Sequence, residues 1–153
     1  MDHDAAHDRL IEFRRSTGAT SESSRWTYFE IDADAATEIV VDGVRTGSYL
    51  QALVNHTDAD GYSLLSVRYP ASAKVARHRH DVAQIVLVLE GELWQGNRRL
   101  PAGSGYYTPP NAPYRLQAGS EGALVLEFRH NPMTFTTDWL DDEPEVRRIS
   151  SDG

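Results

Sequence analysis

A chain of 153 residues is long enough for one domain with a real core. Its formal charge of −8 argues against nucleic acid as a partner, because phosphate-backbone affinity rests largely on clustered Lys and Arg. The absence of cysteine excludes disulfides, thiolate metal sites and cysteine nucleophiles together.

Residues 3–15, HDAAHDRLIEFRR, read as a short amphipathic helix, with Leu10, Ile11 and Phe13 apolar, acids early, and Arg14 and Arg15 late. His3 and His7 stand four apart, the spacing of a helical metal pair, but a frayed terminal helix is the simpler account. MDHDAAHD lacks the basic-then-apolar pattern of a signal peptide, so a cytoplasmic location is expected. No run of about 18 apolar residues occurs, so no membrane span is expected. Residues 16–24 are rich in Ser, Thr and Gly and read as a linker, which makes 1–24 an appendage to the main domain.

From Trp26 onward the punctuation is all-β. TYFEI, EIVV, SYLQALVNH and YSLLSVRY are short apolar runs, with turns expected at Asp42-Gly43 and Asp60-Gly61. Further turn signals fall at Gly91, at Gly96-Asn97 and across 101–105, 109–113 and 119–122. Regular turns without a long helical period predict a sandwich or barrel over residues 25–137. The remainder, 138–153, is charged and aperiodic and reads as a flexible acidic tail.

The chemistry concentrates in HRHDVAQIVLVLEG. On a strand, residues i and i+2 share a face, so His78 and His80 project together. Two neutral imidazoles on one face make half of a metal site. Gln84 follows a short polar break and offers an amide oxygen at the same point. If Gln84 faces inward, so do Val86 and Val88, while Ile85, Leu87 and Leu89 form an outer apolar face that needs covering. Arg77 and Arg79 alternate with the histidines and point away. His56 sits beside a hairpin turn, where a solvated side chain is the usual case. His130 ends the strand ALVLEFRH in phase with Leu124, Leu126 and Phe128. If that set faces inward, His130 reaches the barrel rim as a proton shuttle, and Glu127 faces out. Of Tyr106 and Tyr107, one must face inward.

This spacing resembles the first motif of the cupin superfamily, G-x5-H-x-H-x3-E-x6-G. His78, His80 and Gly91 match; Ser72 stands for the first Gly and Gln84 for the Glu. The second cupin motif, G-x5-P-x-G-x2-H-x3-N, falls in register on GSGYYTPPNAPYRLQA. There Gly103 and Pro109 match, while Asn111 replaces Gly, Tyr114 replaces the ligand His and Ala118 replaces Asn. Asn tolerates the left-handed turn conformation, so the Gly-to-Asn change is mild.

The resemblance, which spans roughly residues 62–130, implies an all-β cupin-type double-stranded β-helix, a jelly-roll barrel carrying a short N-terminal helix. It implies a divalent metal (iron, zinc, manganese or nickel) held by His78, His80, Gln84 and Tyr114, with Tyr114 as a catalytic group; strand phase, not the resemblance, adds His130 as the second. Tyr114 is either a phenolate ligand or a hydrogen-bonding phenol. Dimers with a shared sheet are common among cupins, which makes a homodimer the expected cover for the outer face. A small molecule is the expected substrate. Two enzyme chemistries follow: a dioxygenase, or a Lewis-acid lyase, isomerase or cyclase acting on a carbonyl- or enol-bearing substrate. The alternative is a metal-free cupin that binds a ligand or acts as a sensor without catalysis, and fold alone does not choose. A purely structural role as a dimerising scaffold leaves the paired histidines unexplained.

Overall fold

The computed structural model of the protein describes residues 27–56, 61–130 and 136–140. The helix expected over 3–15, with its histidine pair, lies outside the described residues. Nine strands are found among the described residues: β1 (Thr37–Val41), β2 (Val44–Asn55), β3 (Ser63–Tyr69), β4 (Lys74–His80), β5 (Gln84–Gln95), β6 (Arg98–Pro101), β7 (Gly105–Thr108), β8 (Tyr114–Arg129) and β9 (Thr137–Trp139). No helix among the described residues is long and apolar enough to cross a membrane.

All pairings are antiparallel. The main path runs β1-β2-β3-β8-β4-β9, and β5 joins it by pairing with β8 while also holding β6 and β7. The long strands β5 and β8 make this possible. β8 pairs with β4 through Tyr114 to Gln117 and with β3 through Ala123 to Arg129. β5 pairs with β8 along Ile85 to Gln95, with register shifts between Val88 and Glu90 and between Gly91 and Leu93. Such bulges raise local twist and bend, which curls the sheet into a barrel. The bend admits only glycine: Gly91 has φ of +68°, and a Cβ there would stand 2.1 Å from the Gly122 carbonyl oxygen.

The turn chemistry follows the sequence closely. Asp42 and Gly43 both take positive φ, 51° and 79°, the two-residue geometry that joins β1 to β2. Gly96-Asn97 joins β5 to β6. Ser72 and Asn111 adopt φ of 57° and 61° at the two positions where the resembled motifs carry glycine. Asn111 then donates its backbone N–H to the His80 carbonyl at 2.7 Å, which ties the second motif to the first.

The core is the inner face of this curl. Val67, Val86, Val88, Leu93, Leu100, Leu116, Ala118 and Val125 are buried together. Each Val or Leu among them contributes about 1.5–3 kcal/mol on burial.

Two expectations need correcting. TYFEI is not a strand: residues 27–32 carry no ladder, and Tyr28 is 85 % exposed. Its backbone is instead held by a side chain, since Gln51 Nε2 donates to the Glu30 carbonyl and Gln51 Oε1 accepts from the Asp32 N–H. The domain does not end at 137 either. β9 runs to Trp139 and pairs with β4, so the first two residues assigned to the tail belong to the sheet.

Candidate functional site

The parity expected for β5 is found. Gln84, Val86 and Val88 are buried, whereas Ile85 and Leu87 are 52 % and 40 % exposed. On β4, His78 and His80 both line a cavity of about 200 Å³ inside the barrel. The register sets their neighbours: His78 is paired with Tyr114 of β8 on one side and with Trp139 of β9 on the other. The His78 ring lies 4.4 Å from Tyr114 and 5.1 Å from Trp139, centroid to centroid, and 5.0 Å from His80. Much of the remaining wall is apolar, including Ile39, Leu50, Leu65, Val67 and Leu116.

Strand β8 departs from its expected parity. Val125, Glu127 and Arg129 face inward, while Phe128 and His130 face outward. His130 is therefore not at the barrel rim. It is exposed and stacks on Tyr62 at 4.7 Å, so a proton-shuttle role in the cavity is removed. Glu127 and Arg129 line the cavity instead. Apolar side chains on both faces of β8 hide its parity: Leu124 packs on the outside, beside Ile31, Ala33 and Ala36. The i, i+2 spacing of a Glu and an Arg within an apolar strand was the available signal. Trp139 carried no such signal, being embedded in an acidic stretch.

The buried polar groups form one chain. Arg129, 2 % exposed, donates through Nη2 to Glu127 Oε2 at 2.9 Å and to Gln84 Oε1 at 2.5 Å. Gln84 Nε2 donates in turn to the Tyr114 hydroxyl oxygen at 2.5 Å. The orientation of the Gln84 amide is forced, because a guanidinium only donates and must meet the amide oxygen. Tyr114 therefore accepts from Gln84, and its own proton is directed elsewhere. Among the described residues no protein acceptor takes that proton. Tyr106 lies beside Tyr114, 5.9 Å between centroids, close enough to favour the Tyr114 oxygen electrostatically without meeting hydrogen-bond geometry. Tyr107, its neighbour, faces out.

Burial sets the protonation states. Desolvation raises the Tyr114 pKa well above the ordinary phenol range, the nearby Glu127 charge adds to this, and the bond from Gln84 offsets only part of it. Desolvation pushes His78 down to about 4 and also lowers His80. Each Nδ1 meets a backbone carbonyl, Ala76 at 2.7 Å for His78 and Thr136 at 3.1 Å for His80. A carbonyl only accepts, so both Nδ1 atoms carry hydrogen and the lone pair of each neutral ring sits on Nε2.

The four-donor metal set does not fit this arrangement. Gln84 is not on the cavity wall, and its amide oxygen is taken by Arg129. Among the described residues no three His, Asp or Glu side chains converge as a metal group. Only the histidine pair has the tautomers that metal ligands adopt.

No family model matches the chain, and no curated protein matches it in sequence. Solved structures do match in shape. An RmlC-like cupin protein from Ralstonia eutropha is 16 % identical over 72 % of this chain and 71 % of its own, with a TM-score of 0.58. KdgF from a Halomonas species is 18 % identical over 71 % of this chain and 96 % of its own, with a TM-score of 0.56. A salicylate 1,2-dioxygenase variant from Pseudoaminobacter salicylatoxidans, solved with gentisate, is 18 % identical over 61 % of this chain, with a TM-score of 0.52. The matched region is only 29 % of that longer protein. At such identities the likeness speaks for fold alone, and the fold of this chain is a cupin-type jelly-roll barrel.

Proposed function

We propose that the protein is a small-molecule enzyme of the cupin fold that moves protons on a carbonyl- or enol-bearing substrate, with Tyr114 as donor and His78 as acceptor. The observation that carries this reading is the 2.5 Å bond from Gln84 Nε2 to the Tyr114 oxygen. It leaves the phenol proton for a substrate oxygen. His78 complements it with a neutral ring whose Nε2 accepts. A carbonyl oxygen held by Tyr114 makes the adjacent C–H more acidic, and His78 takes the proton released. Such enolisation belongs to isomerases and lyases. The cavity has room for a compact substrate: an apolar cavity of about 150 Å³ holds benzene, so one of about 200 Å³ accepts a ring with a short substituent.

A metal-dependent reading has one observation in its favour, the Nδ1 bonds that turn both histidines into ready Nε2 donors. It requires the Arg129–Gln84 bond to break or a third donor to come from elsewhere, and it ranks second for that reason. A second copy of the chain is the proposed cover for the outer face of β5.

Proton exchange tests the enzyme reading. Compact ketones such as acetophenone, incubated with the protein in D₂O, should lose α-proton NMR signal faster than in buffer. Tyr114→Phe and His78→Ala should each slow that exchange by roughly 10²–10⁴. Saturable ketone binding without any exchange would leave a ligand-binding or sensor cupin and overturn the enzyme.

A further inference from the structure

The two departures from the cupin metal motifs, Gln84 and Tyr114, touch each other. Each looks like the loss of a metal ligand when taken alone. Together with Arg129 they form a single device with a fixed hydrogen-bond polarity. Arg129 can only donate, so it claims Gln84 Oε1; the amide then has only donors left; so the Tyr114 oxygen must accept. Every step follows from donor and acceptor inventory, and the last one directs the phenol proton away from Gln84. Tyr114 lines the cavity, whereas Gln84 stands behind it.

We infer that Gln84 is a specificity-determining residue: acting through Tyr114, it makes the cavity select compact ligands that present a hydrogen-bond acceptor, such as a ketone, over the matching hydrocarbon. This deepens the enzyme reading and rests on its assignment of the cavity as the ligand site. Gln84 is a positioning residue, since it reaches the ligand only through the phenol. A glutamate at this position, the residue of the resembled motif, would reverse the polarity. Its carboxylate, ionised beside Arg129, accepts from the guanidinium and also from the Tyr114 hydroxyl. The phenol would then turn its proton inward to residue 84 and offer a lone pair to the cavity.

The test uses two probes of one skeleton, acetophenone and ethylbenzene, titrated calorimetrically into the whole protein. Wild type should prefer the ketone by roughly three- to tenfold, the range of one neutral hydrogen bond. Gln84→Glu should remove the preference, because its phenol offers the ketone only a lone pair. Tyr114→Phe should also remove it, and adding Gln84→Glu to it should change nothing further. Gln84→Met, which keeps the volume without either polar group, should weaken the preference, because the phenol proton is no longer directed. Thermal melts establish that each variant is folded, and should Gln84→Glu fail to fold, the Gln84→Met and Tyr114→Phe results decide the matter. A purely structural role for Gln84 would weaken both probes alike and leave their ratio unchanged, which overturns the inference. Ketone and hydrocarbon bound equally by wild type would overturn it too while leaving the ligand site standing. Binding of neither probe would remove the ligand site, and the inference with it.

Discussion

His78 shows how burial assigns a chemical role to one residue. In the unfolded chain an imidazole titrates near ~6.5; in the barrel, desolvation brings His78 to about 4. Between these values the unfolded chain binds a proton that the folded protein refuses. Stability contributed by the neutral ring is thus complete above about pH 6.5 and is lost as pH falls toward 4, by up to ~3 kcal/mol. Urea unfolding of the metal-free protein at pH 7.5 and pH 4.5 should show this drop, and His78→Phe should flatten it. The pairing of His78 with His80 was legible in the sequence because strand period alone puts i and i+2 on one side. The fate of Gln84 was not. Its partner Arg129 lies 45 residues along the chain, and nothing local to Gln84 records that its oxygen is engaged.

Strand parity was legible where polar and apolar residues alternate and illegible where they do not. β5 begins with Gln84 and carries one buried and one exposed series, so its inner face could be assigned. β8 has apolar residues on both faces, because its outer side also packs, and its parity came out reversed. That reversal hid Glu127 and Arg129 and gave His130 a place it does not hold. The outer face of β5 is a physical problem at this same scale. Ile85 is paired with Tyr107 of β7 and Phe128 of β8, and all three are exposed, with Leu87 and Tyr62 also exposed. Tyr62 stacks on Phe128 at 5.8 Å. Contiguous apolar surface of this kind marks an association site. Light scattering should give a dimer mass for wild type at micromolar concentration and a monomer mass for Leu87→Glu. A wild-type monomer would contradict the second copy as its cover.

At the scale of the whole molecule, turn punctuation and two spaced motifs were enough for the barrel. Positive φ at Ser72, Gly103 and Asn111 explains why: the motif positions are backbone requirements that survive a change of side chain. Ligand positions carry no such backbone requirement, so the chemistry was free to depart while the fold stayed. The result is a barrel whose polar interior is organised around the Arg129 guanidinium. Arg129 and Glu127, with side chains 1 % and 12 % exposed, form an ion pair, and removing either partner would strand a buried charge at a cost of about 3–5 kcal/mol.

As proposed, Gln84 and Tyr114 serve this buried relay instead of a metal. Elemental analysis tests this on protein purified without an affinity tag, incubated with excess iron, zinc, manganese or nickel, and passed through gel filtration. Well below one ion per chain is expected for each metal, with no change in Gln84→Ala. One retained ion per chain, lost in both His78→Ala and Gln84→Ala, would contradict it.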